Sequence, residues 1–259
     1  MRNITVFFAL FFALWGSAQS RFFTSTDTIK IAYTDQGKGF PVLLVHGFIN
    51  SGSSWTKTVL KKELLLNGYR VIVPDLRGNG LSDKPHKKDA YEGDREVQDL
   101  KALADHLQLK EYWAVGYSRG SIVLAKLLTR DARITKAVLG GMGIDFSDPN
   151  WERRRMFANA FNGKTTAETQ GAVDYAKSIG ADLRSLYLQQ EYQPVTSKEE
   201  LRTIKAQTLV IAGNMDTDNG DPAALQQAIP KSELQIVIGD HNGTYKTTAF
   251  SEKIISFLD

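Results

Sequence analysis

Short apolar runs separated by longer helical patterns organise the chain beyond residue 19. Residues 42–45 (VLLV) are continuously apolar, the mark of a strand covered on both faces. Comparable runs occupy residues 71–73, 113–115, 137–139, 209–212 and 234–238. Residues 28–34 alternate, with Ile29, Ile31 and Tyr33 on one side, and predict a half-exposed strand. Between these runs, Val97, Leu100, Leu103, Ala104 and Leu107 recur at helical spacing, as do Ile122, Ala125 and Leu128, and later Phe250, Ile254 and Phe257. Strand–helix alternation of this kind predicts an α/β architecture: a mostly parallel central sheet with helices on both faces. One gap breaks the rhythm. Residues 144–203 carry no strand pattern but hold Trp151, Phe157, Phe161, Tyr187 and Tyr192 in polar, helical company. This stretch is expected to be a helical cap inserted over the sheet.

The composition narrows the chemistry. The 259 residues are 42% hydrophobic and 24% charged, which excludes a disordered chain and a polytopic membrane protein. There is no cysteine, so disulfides, thiolate metal sites and a cysteine nucleophile are excluded. The net charge is +3 with both signs interspersed, which does not suggest a nucleic-acid surface. The N-terminus reads as an address. Arg2 precedes an apolar run over residues 4–15, and Gly16, Ser17 and Ala18 follow. That order predicts a secretory signal peptide over residues 1–18, cleaved before Gln19, and an exported domain over residues 19–259. The run is shorter than the ~20 residues of a membrane span, so no stable membrane insertion of the mature chain is expected.

Functional groups collect at the carboxyl ends of strands in open parallel sheets. Gly116-Tyr117-Ser118-Arg119-Gly120 is a G-x-S-x-G between an apolar strand and an amphipathic helix. A turn that sharp strains its central residue and leaves no room for side chains two positions either side. Ser118 is therefore the candidate nucleophile, and the helix beginning at Arg119 aims its positive end at the same place. A serine hydroxyl needs a base, and the base an orienting partner. Of four histidines, His46 stands at a strand end before a glycine, His86 in a polar run, and His106 beside Asp105 on a helix. His241 follows the last apolar strand and is the preferred base. Asp216, just past the 209–212 strand, is the preferred acid, with Asp218, Asp221 and Asp145 as alternatives. Residues 216–221 are acidic enough to suggest a calcium loop, but the glycine comes one position early and Gln227 stands where a bidentate Glu is needed. No metal site is expected. The backbone N–H groups of Phe48 and Arg119 are the natural oxyanion donors. Tyr117, Met142, Trp151 and Phe157 are candidate pocket residues.

The pattern resembles the α/β-hydrolase superfamily. The resemblance rests on His46-Gly47-Phe48, on residues 75–82 (DLRGNGLS), on Gly116 to Gly120, on Gly213 to Asp216 and on Gly239-Asp240-His241. These occur in the family's order and span about residues 28–259. Membership implies a Ser118–Asp216–His241 triad, an oxyanion hole at Phe48 and Arg119, and a cap after the sixth core strand. Serine rather than aspartate at the elbow implies the branch of esterases, lipases, lactonases and perhydrolases. The expected function is hydrolysis of a small or medium carboxylic ester through an acyl-enzyme, without cofactor. Lactone or thioester hydrolysis and perhydrolysis use the same machinery. A non-catalytic ligand-binding protein on the same fold is the alternative of a different class.

Overall fold

The computed structural model describes residues 19–259, so the expected signal peptide lies outside the described residues. In chain order the elements are β1 (Arg21–Thr24), β2 (Lys30–Gln36), β3 (Pro41–Val45), α1 (Val59–Leu66), β4 (Arg70–Pro74), α2 (Arg95–His106), β5 (Tyr112–Tyr117), α3 (Arg119–Leu128) and β6 (Ile134–Gly140). Then come α4 (Glu152–Phe161), α5 (Ala167–Ser178), α6 (Leu183–Glu191), α7 (Lys198–Leu201), β7 (Gln207–Gly213), α8 (Pro222–Ala228), β8 (Ser232–Val237) and α9 (Thr248–Leu258). The strands form one sheet in the order β1-β2-β4-β3-β5-β6-β7-β8. The pairs β1–β2 and β2–β4 are antiparallel, and every other pair is parallel.

Alternating strand residues feed two cores, one on each face. Leu43, Ile72, Ala114 and Leu139 pack against α2 and α3. Val42, Leu44, Val73, Val115 and Val138 pack against α1 and α9. Continuous apolar runs are the consequence, since both sides of each central strand are dry.

The edges depart from that pattern. The 234–238 run reads as a strand covered on both faces, yet β8 lies at the sheet edge, and Ile236 and Ile238 are 49% and 80% exposed. Its apolar side chains are only partly covered because no neighbour flanks it beyond β7. At the opposite edge, β1 has no counterpart in the periodic pattern; of its four residues only Phe23 is buried. The strand expected over residues 28–34 begins at Lys30, because Thr28 adopts a left-handed φ of 70° and turns the chain.

Residues 144–203 contain α4 to α7, between β6 and β7. The cap has its own small core of Ala160, Phe161, Val173, Ala176 and Leu186, which reaches Ile49 in the loop after β3. Buried polar contacts fasten it below. The Gln189 side-chain amide on α6 donates to the Arg77 carbonyl at 2.7 Å and also to Asn79. The Gln189 carbonyl accepts from Arg119 Nη2 at 2.9 Å, and Arg119 forms a two-pronged ion pair with Glu96. Farther along, Lys126 Nζ donates to the Val195 carbonyl at 2.9 Å and to Glu200 at 2.6 Å.

Candidate active site

Ser118 sits between β5 and α3 with φ 54° and ψ −129°, a conformation that costs a non-glycine residue about 1–3 kcal/mol. The neighbours explain how it persists. A Cβ at Gly116 would stand 2.6 Å from the Gly120 carbonyl oxygen. One at Gly120 would stand 2.7 Å from the His46 carbonyl oxygen and closer still to that of Val45. The helix therefore starts directly against the ends of β3 and β5. Every residue of α3 is buried, so a large packing term holds the turn. The Ser118 N–H donates to Gly140 O at 2.8 Å, and its carbonyl accepts from the Ser121 N–H at 2.8 Å.

The end of the chain meets this turn. His241 Nε2 lies 2.8 Å from Ser118 Oγ, and its Nδ1 lies 2.6 Å from Asp216 Oδ2. The carboxylate can only accept, so it draws the ring proton to Nδ1 and leaves Nε2 to accept from the hydroxyl. Asp216 is 2% exposed and His241 23% exposed at their side chains. Two loops deliver them together: Met215 N–H donates to Gly239 O at 3.0 Å, and Gly239 N–H to Asn214 Oδ1 at 3.1 Å. The Tyr117 hydroxyl donates to the His241 carbonyl at 2.7 Å. Burial, with the nearby Asp216 charge, pushes the Tyr117 phenol above its ordinary range, so it remains a donor.

The other candidate acids go elsewhere. Asp221 caps α8 through the Ala223 and Ala224 N–H groups. Asp145 stands against Gly220, beneath the acid-bearing loop. Asp218 lies on the wall of the cavity described below. Asn219 had no motif to announce it. Its side-chain amide donates to Asp216 Oδ1 at 2.6 Å and stands 2.9 Å from His241 Nδ1, so it fixes the second carboxylate oxygen. Among the remaining histidines, His46 is buried and accepts from the Leu76 N–H at 3.0 Å. Burial holds its pKa below the usual range, and the neutral ring supports its loop. His86 is exposed and 2.9 Å from Asp182, and His106 stacks on Phe23 with centroids 5.5 Å apart.

The loop after β3 passes directly over the serine: a Cβ at Gly47 would stand 3.1 Å from Ser118 Cβ. Among the described residues, neither the Phe48 nor the Arg119 N–H donates to a protein acceptor. The Arg119 side chain itself is directed to Glu96. A cavity of about 670 Å³ opens over Ser118 and His241, roofed by the cap. Tyr117, Met142, Trp151 and Phe157 all line it. Phe48 packs edge-on against Phe157 and Phe161, with centroids 5.8 and 5.2 Å away. Phe161 serves the cap core, whereas Tyr187 and Tyr192 pack beside Arg184 and Lys88 away from the cavity. Trp55, Tyr175 and Tyr245 add aromatic lining that no periodic pattern marked out.

Residues 41–166 match the family model for the alpha/beta hydrolase fold. The chain superposes on a bromoperoxidase from Bacillus anthracis with a TM-score of 0.74 at 24% identity, covering 93% of this chain and 99% of that one. An esterase from Exiguobacterium antarcticum gives 0.73 at 21% identity, with coverages of 93% and 99%. The chain has the α/β-hydrolase fold. It is also similar to a non-heme haloperoxidase from Rhodococcus erythropolis, 36% identical over 125 residues, or 46% of this chain and 43% of the relative. A non-heme chloroperoxidase from Kitasatospora aureofaciens is 28% identical over 279 residues, covering 91% of this chain and 98% of the relative. The chain spans about two-fifths of the length of the first curated relatives it matches. The family match ends inside the cap, so Asp216 and His241 lie beyond it and are related to Ser118 by geometry.

A hydroxyl bonded to an imidazole that is itself bonded to a buried carboxylate can be deprotonated as it attacks. For chemistry that uses His241 as base, Asp216→Asn lowers kcat by about 10³–10⁴-fold, and Asp145→Asn lowers it far less. Steady-state kinetics with p-nitrophenyl butyrate compares the two; the reverse order would assign the acid to Asp145. The elbow makes a separate prediction about stability. Gly120→Ala costs about 3 kcal/mol through overpacking. Gly171→Ala, where an added Cβ meets nothing within 4 Å in α5, gains about 0.5–1 kcal/mol. Urea unfolding of both variants reads the contrast.

Proposed function

We propose that the protein is a serine hydrolase that cleaves a small or medium carboxylic ester through an acyl-enzyme. The observation that carries this reading is the continuous hydrogen-bonded chain Ser118 Oγ–His241–Asp216, with distances of 2.8 and 2.6 Å, at a strained turn beside two unpaired N–H groups. His241 Nε2 takes the hydroxyl proton as Ser118 attacks the carbonyl carbon. The Phe48 and Arg119 N–H groups receive the oxyanion, each such donor being worth roughly 3 kcal/mol. His241 then protonates the departing alcohol. Water, deprotonated by the same imidazole, attacks the acyl-enzyme and releases the acid and Ser118. Asp216 holds the Nδ1 proton throughout. No step calls on a metal or organic cofactor.

The relatives named haloperoxidases favour a second reading at the last step. Hydrogen peroxide takes the place of water, and the acyl group departs as a peracid with Ser118 regenerated. Both readings share the first half-reaction. Adding peroxide to the ester assay and titrating peracid separates them.

Ser118→Ala is expected to lower p-nitrophenyl butyrate hydrolysis by about 10⁴-fold or more while the circular dichroism spectrum is unchanged. Retained turnover would locate the nucleophile elsewhere; a parent protein without turnover would leave a binder rather than an enzyme. We further propose export, with removal of residues 1–18. Intact mass of the protein recovered from outside the cytoplasm should correspond to a chain beginning at Gln19; a chain retaining Arg2 contradicts cleavage.

A further inference from the structure

The cavity wall is not uniformly apolar. Helix α4 contributes Trp151's neighbours Arg153 and Arg154 to it, alongside Phe157. The Arg153 guanidinium sits 5.2 Å from the centroid of the Phe157 ring, and Phe157 packs in turn on Phe48. Arg153 thus stands two ring contacts from Phe48, on the loop that passes over Ser118. Arg154 donates to the Pro149 carbonyl at 2.5 Å. Among the described residues, no carboxylate forms an ion pair with either guanidinium. Glu191 and Asp148 act on Arg154 only through space, and burial pushes its guanidinium below the ordinary value. Gln193 lines the same cavity, is 4% exposed, and its Nε2 has no partner. Asp218 is the one acidic side chain on the wall among the described residues.

Several cations elsewhere in this molecule are treated differently. Arg77, Arg119, Lys126 and Arg133 each hold a carboxylate within 3 Å or so of their nitrogen atoms. A partly dehydrated guanidinium without a counter-ion loses hydration and gains little in return. Its planar fork matches a carboxylate, and an anion entering the cavity would supply the missing partner.

We propose that Arg153 and Arg154, with the Gln193 amide, form an anion-recognition subsite under the cap, and that the substrate is an ester bearing a carboxylate. The ester carbonyl lies at Ser118. A short carbon chain or one ring, passing along Phe48 and Phe157, separates it from the anionic end at α4. The ester part of this assignment rests on the serine-hydrolase reading, whereas the preference for an anion does not.

The test is equilibrium binding to the Ser118→Ala protein, which removes turnover from the measurement. Monoethyl adipate is compared with the ester in which its carboxylate is replaced by a carboxamide, and 4-acetoxybenzoate with 4-acetoxybenzamide. In at least one pair the anion should bind at least tenfold more tightly than the amide at low ionic strength, and added salt should shrink the ratio. The Arg153→Gln/Arg154→Gln double variant should bring that ratio close to one, and Arg153→Lys/Arg154→Lys should restore part of it, which a merely misfolded cap would not do. Equal affinity for acid and amide in both pairs, no measurable binding of any of the four, or a preference that survives the double variant overturns the subsite. Hydrolysis of the amide-bearing esters by the parent protein is followed in parallel. Turnover of those esters without an anionic preference defeats the subsite and leaves the hydrolase reading standing; an anionic preference without turnover does the opposite.

Discussion

The close approach of three backbones at Ser118 is the constraint on which the site depends. The ends of β3 and β5 and the first turn of α3 come within a distance that tolerates only hydrogen at Gly116 and Gly120. That contact forces the serine into its unusual backbone angles and turns the hydroxyl outward. Among the described residues, it also leaves the first N–H of α3 without a protein acceptor, and the N–H of Phe48 likewise has none. The outward hydroxyl and the unpaired N–H of Arg119 are thus two results of one packing event. The strain, of order 1–3 kcal/mol, is small against the burial of the whole of α3, where each fully buried large aliphatic side chain contributes about 1.5–3 kcal/mol.

Buried charge ties the cap to that same turn. Arg119 follows the serine, yet its side chain points away from the cavity into Glu96 and the Gln189 carbonyl of α6. Gln189 reaches on to the Arg77 carbonyl, and Arg77 is held by Asp27 and Asp99. Such networks add little net stability over an apolar interface, because dehydration offsets the Coulomb attraction. Their effect here is geometric: each donor has one acceptor direction, so the roof of the cavity has one register over the elbow. Arg153 and Arg154 of α4, by contrast, have no carboxylate partner among the described residues and line the cavity wall.

Much of the architecture was legible in the residues because the central strands are dry on both faces and write continuous apolar runs. The elbow was legible because Gly116 and Gly120 are sterically required, and a steric requirement leaves a spacing in the sequence. Other features leave none. β1 buries a single side chain and has no period to detect. β8 is apolar for most of its later length although its edge is open. The acid was ambiguous because a short loop carries Asp216, Asp218 and Asp221, and only the path of that loop, tied at Met215 and Gly239, directs one of them to His241. Asn219 and Gln189 act through single amide hydrogen bonds between segments far apart in sequence, which no local pattern records.

In the proposed reading, Ser118, His241 and the two unpaired N–H groups form one acyl-transfer site. A crystal structure of the protein inactivated by a fluorophosphonate tests it most directly. Phosphorus is expected on Ser118 Oγ, with one phosphonyl oxygen about 3 Å from both the Phe48 and Arg119 nitrogens. An adduct on another residue, or an oxygen turned away from those two nitrogens, would contradict it.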